Sequence, residues 1–192
     1  MIRKALLSDL DSVYELYCSQ SVDASQIRSS EYSTQIQKNG FIFPLENRET
    51  IKDQIQNHFL FKVYESDGKI IGFIDFNKEI YFPEEANNCI WLDKKLKDVY
   101  FHDDSSIALH EIVINKEHRG KGIGKKLLEN AIDELSTKKY QHIFSIVALS
   151  PLTNCPSIIF HTKNKFERVC ATMPINLFGL ENYQSLLFYK KV

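Results

Sequence analysis

The stretch Ile112-Val113-Ile114-Asn115-Lys116-Glu117-His118-Arg119-Gly120-Lys121-Gly122-Ile123-Gly124 decides how this chain is read. An apolar run, 107–114, has the composition of a strand. A short polar turn follows, and glycines then lead into a segment, 122–137, whose Ile123, Leu127, Leu128, Ala131, Ile132 and Leu135 recur at helical spacing. Glycines let a backbone approach a ligand closely and take unusual dihedrals. The first N–H groups of a helix have no internal partner, and the helix dipole places partial positive charge there. Together these features make an anion site suited to a pyrophosphate. Arg119, Lys121 and Lys125 add local cationic charge. Two other phosphate motifs fail on detail. A P-loop needs Lys-Ser/Thr after its last glycine, and Gly124 is followed by Lys125-Lys126. A dinucleotide fold needs wider glycine spacing and an acidic residue ending the next strand, which reads Ile146-Val147-Ala148-Leu149.

Outward from the loop, 143–149 reads as a second strand, so 107–149 forms a βαβ unit with parallel strands and a right-handed crossover. A short helix at 157–163, a strand at 166–173 and a last strand at 184–189 follow. Toward the N-terminus, 2–5 is a short strand. Ser8 or Asp9 caps a helix carrying Leu10, Val13, Leu16 and Tyr17. Residues 21–58 are polar, with a helical pattern at 49–59. Strands at 60–66 and 69–76 flank Asp67-Gly68, a hairpin signal. Residues 77–105 lack a period and read as an insertion with a short helix at 91–96. The predicted fold is one α/β domain over 1–192, a mixed sheet with an antiparallel N-terminal half.

The 192 residues are 43% hydrophobic and 26% charged, enough for a sizeable core. A net charge of −1 gives no field that would draw nucleic acid or an anionic membrane. Cys18, Cys89, Cys155 and Cys170 form no CxxC pair, and no His/Cys spacing fits zinc, so no metal is expected. The N-terminal apolar run is too short for a signal peptide, which points to the cytoplasm.

The glycine segment resembles the Arg/Gln-x-x-Gly-x-Gly/Ala signature of the GNAT superfamily, the Gcn5-related N-acetyltransferases. Asn154-Cys155-Pro156-Ser157-Ile158-Ile159-Phe160-His161 followed by Lys165-Phe166 is similar to that family's second motif, Asn-x-x-Ala-x-x-Leu-Tyr and then Gly-Phe. The resemblance implies a V-shaped gap between two splayed parallel strands, here 107–114 and 143–149. An acyl-CoA, acetyl-CoA by default, would lie in the gap. Ile112, Val113 and Ile114 would pair with its pantetheine amides. Gly120, Lys121, Gly122, Ile123, Gly124 and Lys125 would hold its pyrophosphate, with Arg119 beside them and Asn154 and Ser157 on the opposite wall. The reaction implied is acetyl transfer to the primary amine of a small molecule or peptide, without a covalent enzyme intermediate; the alternatives are an acyltransferase using a longer acyl-CoA and a catalytically silent acyl-CoA-binding regulatory module.

That chemistry needs a neutral amine, a donor for the oxyanion and a proton for the departing thiolate. His161 stands where many family members carry a tyrosine acid. An imidazole near its ordinary pKa of about 6.5 would be partly protonated at neutral pH. Glu111 is the candidate base, and His110, which should point to the other face by strand alternation, is the alternative relay for the amine proton. Asn154 is also in place to cap a helix. Phe41, Phe43, Tyr81, Phe82 and Trp91 are candidates for an acceptor pocket. Glu84, Glu85, Asp93, Asp98, Asp103 and Asp104 would favour a cationic amine if they border the cleft. The last strand offers an edge through which a homodimer could pair.

Overall fold

The computed structural model describes residues 1–23, 30–43, 46–78 and 89–192, the side chains of 30–32 excepted. Its elements in chain order are β1 (Ile2–Lys4), α1 (Leu10–Cys18), α2 (Ser30–Asn39), α3 (Arg48–Asn57), β2 (Leu60–Ser66), β3 (Lys69–Asn77), β4 (Ile90–Trp91), α4 (Lys94–His102), β5 (Ser106–Ile114), α5 (Ile123–Thr137), β6 (His142–Ser150), α6 (Cys155–Lys163), β7 (Glu167–Ala171), β8 (Ile175–Leu177) and β9 (Leu180–Lys191). Among the described residues the strands form one mixed sheet in the order β1-β2-β3-β5-β6-β9-β7-β4, with β8 on β9. Only β5 and β6 are parallel neighbours, as the βαβ reading requires.

Strand alternation builds two layers of core. Phe61, Val63 and Phe73 face α1 and α3, where they meet Val13, Tyr17, Ile51 and Ile55. Leu60, Ile74 and Phe76 face α5 and pack on Leu127, Leu128 and Leu135. The Asp67-Gly68 turn joins β2 to β3 with both residues left-handed, the geometry of a tight hairpin.

Several boundaries differ from the sequence reading. Asp9 precedes α1 but makes no cap to it. Its carboxylate instead takes two bonds from Arg3, at 2.6 and 2.8 Å, and one from the Leu6 N–H at 2.8 Å. The insertion's helix lies at Lys94–His102, later than expected, because Asp93 caps it and Tyr100 must reach the Phe144 and Val169 cluster. The last strand is longer than expected and lies between β6 and β7. It is therefore paired on both sides and is not an edge of the sheet. No described helix is long and apolar enough to cross a membrane.

Two irregularities in β5 shape everything near the site. Its ladder with β6 has only the pairs Ser106–His142, Ile107–Ile143 and Ala108–Phe144, after which the strands part. At the fork the buried Ser145 hydroxyl donates to the Leu109 carbonyl at 3.2 Å. The ladder with β3 jumps from Phe76–Leu109 to Asp75–Glu111, leaving His110 as an extra residue in a bulge. Ile107 and Leu109 belong to the α5 core, yet Val113 belongs to the α1 core. The bulge has swapped the faces of everything after it.

Asp9 tests the anchor that carries α1 to the sheet. The Arg3 guanidinium holds its carboxyl below the ordinary 3.8. That stabilisation is fully present above the unfolded pKa and is lost as pH falls through the depressed folded value. Asp9→Asn should cost about 2 kcal/mol in urea unfolding at neutral pH, and its difference from wild type should shrink below about pH 4.

Candidate active site

The gap between β5 and β6 opens into a cavity of about 1120 Å³, bounded also by α3, the starts of α5 and α6, the 39–43 segment and the β8–β9 hairpin. The bulge brings both His110 and Glu111 to its lining. Strand alternation had placed them on opposite faces; the extra residue is the reason they are not. Glu111 reaches the Tyr17 hydroxyl on α1, and its Oε2 is buried with no partner among the described residues. Burial pushes its carboxyl up to about 8; the His110 charge opposes this, Asp75 and Glu46 add to it, and Tyr17 opposes it.

Behind it sits a cluster that sequence reading did not find. Asp75 is fully buried. Its Oδ2 accepts from His58 Nδ1 at 2.6 Å and lies 3.2 Å from His110 Nδ1. The Asn77 amide lies 3.2 Å from His58 Nε2. That contact makes Nε2 the acceptor and leaves the Nδ1 proton for Asp75. Burial works against a charge on His110, but the bond to Asp75 and the charges of Glu111, Asp75 and Glu46 outweigh it and raise the imidazole above its ordinary value. One ligand atom from each of His58, Asp75 and His110 lies within 4.8 Å of the others, a spacing that could also hold a metal ion. His58, Asp75 and His110 are far apart in sequence, and only the β3–β5 register unites them.

At the other end, Gly120 and Gly122 have φ of +75° and +76°, and a Cβ on either would meet no protein atom within 4 Å. Gly122 is the N-cap of α5, so the free N–H groups that follow face open space. Gly124 differs: a Cβ there would lie 3.1 Å from the Phe160 ring, so its role is close packing against α6. Of the residues expected to bind coenzyme, Ile112, Val113, Ile114, Arg119, Gly120, Gly122, Ile123, Gly124, Lys125, Asn154 and Ser157 line the cavity; Lys121 does not. The Lys125 side chain is largely exposed and pairs with Glu129 at 3.6 Å.

Arg119 does not present its guanidinium to a ligand. It donates to the Ile114 carbonyl at 3.2 Å, to the Asn39 carbonyl and to Gln20 Oε1. Ile42 is bridged to Ser21 beside Gln20. Asn154 holds the same segment from the opposite wall. Its Nδ2 donates to the Phe41 carbonyl at 2.8 Å, and its Oδ1 accepts from Ser157 N at 3.2 Å as the cap of α6. Residues 39–43 are thus a strap across the mouth of the gap.

His161 departs from the partly protonated imidazole expected of it. It is buried against Phe160, Phe166 and Phe188. Burial pushes its pKa down to about 4, the Ser157 carbonyl resisting. That carbonyl lies 2.7 Å from Nδ1, so the ring's one proton is there, and Nε2 is a buried acceptor without a partner. Lys165, which stands where the second motif has glycine, takes the left-handed φ of +62° that glycine would supply.

Phe41 and Phe43 line the cavity; Trp91 does not, and Tyr81 and Phe82 lie outside the described residues. Phe178 and Tyr183, unanticipated, do line it. Asp93, Asp98, Asp103 and Asp104 do not border the cleft; Asp93 caps α4 and Asp103 accepts from Ser105. Glu84 and Glu85 are outside the described residues.

A splayed βαβ gap with a glycine-capped helix at its mouth defines an acyl-coenzyme fold, and the comparisons agree. The model of the acetyltransferase (GNAT) family matches residues 10–166, and the chain belongs to that family of acyltransferases. No curated protein matches it. Among solved structures it is similar in fold to an N-acetyltransferase from Staphylococcus aureus Mu50, with 19% identity and a TM-score of 0.65 over 100% of this chain and 97% of that one. The paia N-acetyltransferase from Thermoplasma acidophilum, solved in complex with coenzyme A, has 20% identity and a TM-score of 0.63, covering 100% and 98%. A ribosomal-protein-alanine N-acetyltransferase from Brucella melitensis has 19% identity and a TM-score of 0.64, covering 100% and 99%.

The protonation of His161 is measurable. Its folded pKa of about 4 lies below the ordinary 6.5, so the unfolded chain binds the proton first and stability falls as pH drops between these values. Nitrogen NMR should show one neutral tautomer, with the proton on Nδ1, from pH 5.5 to 8. His161→Phe should flatten the acid limb of stability in that window.

Proposed function

We propose that the protein transfers an acetyl group from acetyl-CoA directly to a primary amine. The observation that supports this best is the pairing of an open, glycine-capped helix start with a buried, unpaired carboxylate oxygen in one cavity. In this reading the backbone from Gly120 to Lys125 holds the pyrophosphate. Ile112, Val113 and Ile114 offer the unpaired edge of β5 to the pantetheine arm, and Ser157 lines the other side. Arg119 and Asn154 contribute by holding the loop and the strap in place. Lys121 supplies long-range charge only.

Acetyl-CoA supplies an activated thioester carbonyl; the remaining work falls to the chain's residues. An alkyl ammonium with a pKa of about 10.4 must lose a proton before it can attack. Glu111, with its carboxyl at about 8, is a base matched to mildly alkaline pH. Its ionised form grows as pH rises toward that value. The amine nitrogen bonds to the acetyl carbon, the carbon–sulfur bond breaks, and of the two protons the ammonium sheds one ends on the thiol and one in water. His161, having no proton on Nε2, shapes the wall near the reaction and is not the thiolate's acid. The reading extends over one domain, 1–192, with 77–105 inserted. The four free cysteines fit a cytoplasmic setting.

Two experiments test this. Acetyl-CoA at 100 times its Kd should stabilise the protein by about 2.7 kcal/mol, read as a raised Tm. Gly122→Val fills the open space at the helix cap and should lose that shift; no shift in the wild type at millimolar acetyl-CoA or CoA would defeat the reading. Glu111→Gln should lower kcat/KM by about 10²-fold and remove the rise in rate between pH 6 and about 8, while keeping the acetyl-CoA shift. An unchanged pH profile would return Glu111 to a structural role.

A further inference from the structure

The part of the cavity farthest in sequence from the glycine loop has a distinct chemistry. Phe41 and Phe43 on the strap lie 4.8 Å apart between ring centroids. Phe43 stacks on Phe178 at 5.7 Å with an interplanar angle of 25°. Phe178 meets Tyr183 edge-on at 5.4 Å. Ile175 and Leu177 complete this wall, and all of these residues line the cavity. Phe43 and Phe178 pack against the small core of Ile36, Phe41, Ala148, Leu152 and Tyr183, yet both keep part of their surface exposed.

The backbone gives a second, independent sign. Leu177 pairs with Leu180 across the two-residue turn Phe178-Gly179, where φ is +56° and +75°. Such a turn favours asparagine before glycine. A bulky aromatic at positive φ is strained, and strain of this kind is kept where a side chain must be held in one place. Here the strained residue is the one whose ring joins the hairpin to the strap.

Charge is distributed elsewhere. The cationic side chains of the cavity, Arg119, Lys125 and Lys163, belong to the loop and α6. The carboxylates Glu46, Asp53 and Glu111 belong to the α3 and β5 side. The hairpin's one acidic residue, Glu181, is exposed and does not line the cavity. A second ammonium in this lobe would be desolvated without a carboxylate to pair it.

We propose that the acceptor is a primary amine bearing a flat, apolar side group, its nitrogen at Glu111 and its side group laid against the cavity face of the stacked Phe43–Phe178 pair. This rests on the acetyl-transfer reading. The same apolar lobe could instead receive the tail of a longer acyl donor, and the test separates the two sources.

The test measures kcat and KM with acetyl-CoA for 2-phenylethylamine, putrescine and glycinamide, and then for octanoyl-CoA with glycinamide. Wild type should favour 2-phenylethylamine by about ten-fold or more in kcat/KM. Phe178→Asn is the deciding variant, because it gives the turn its preferred residue, and its Tm is measured beside wild type to register the ring contacts it loses. It should raise KM for 2-phenylethylamine and cut the preference for it over glycinamide, as a ratio of kcat/KM, by about ten-fold. A preference for putrescine, a uniform loss with every amine, or octanoyl-CoA outperforming acetyl-CoA with that advantage lost in Phe178→Asn would each overturn the proposal. Binding of acetyl-CoA, followed by Tm, is scored separately: if it fails, the acetyl-transfer reading falls; if it holds and the aromatic preference is absent, only the acceptor assignment falls.

Discussion

The structure depends on the parting of β5 from β6. Three residue pairs hold the strands together at their start, and beyond Ala108 and Phe144 each presents a row of backbone groups with no ladder partner on that side. Buried backbone polar groups left unpaired are expensive. Here they border a solvent-open cavity, where water or a ligand can satisfy them. The Ser145 hydroxyl covers the first exposed carbonyl at the fork. The gap costs the sheet part of its ladder, and the rest of the sheet must make up for it. It does so through β9, whose 12 residues bind β6 on one side and β7 on the other.

The bulge at His110 is the second constraint, and it works with the first. By swapping faces it sends Glu111 toward Tyr17 and Asp75 and leaves Ile112 and Ile114 against the α5 core. One inserted residue thereby turns what would be a core carboxylate under α5 into a group at the meeting point of α1, α3 and β3. The neighbouring hydrogen bond of His58 with Asp75 keeps that region polar.

Much of this was legible beforehand because it rests on local pattern. The Gly120–Gly124 loop, α5, β5 and β6 follow from periodicity and glycine placement, and their bounds agree to within a residue. The hairpin at Asp67-Gly68 follows from turn chemistry. What could not be read depends on register. Alternation predicts opposite faces for His110 and Glu111, and nothing in the letters Leu109-His110-Glu111-Ile112 announces a bulge. His58 and Asp75 carry no motif, and only strand pairing brings them together. Arg119 reads as a phosphate ligand by its neighbourhood, whereas its true partners, Gln20 and Asn39, lie across the fold. β8 was not legible because its three residues are too few to show a period.

Arg119 has one more consequence. Its guanidinium ties the loop after β5 to the turn that follows α1 and to the last residue of α2, so in the proposed reading the floor beneath the coenzyme and the strap over the acceptor share a joint. If seating the first ligand tightens the joint, the second finds a more ordered strap, and linkage requires the reverse effect to be equal in size. The side chain that looks like an electrostatic lure thus serves as a mechanical rivet between loop and strap.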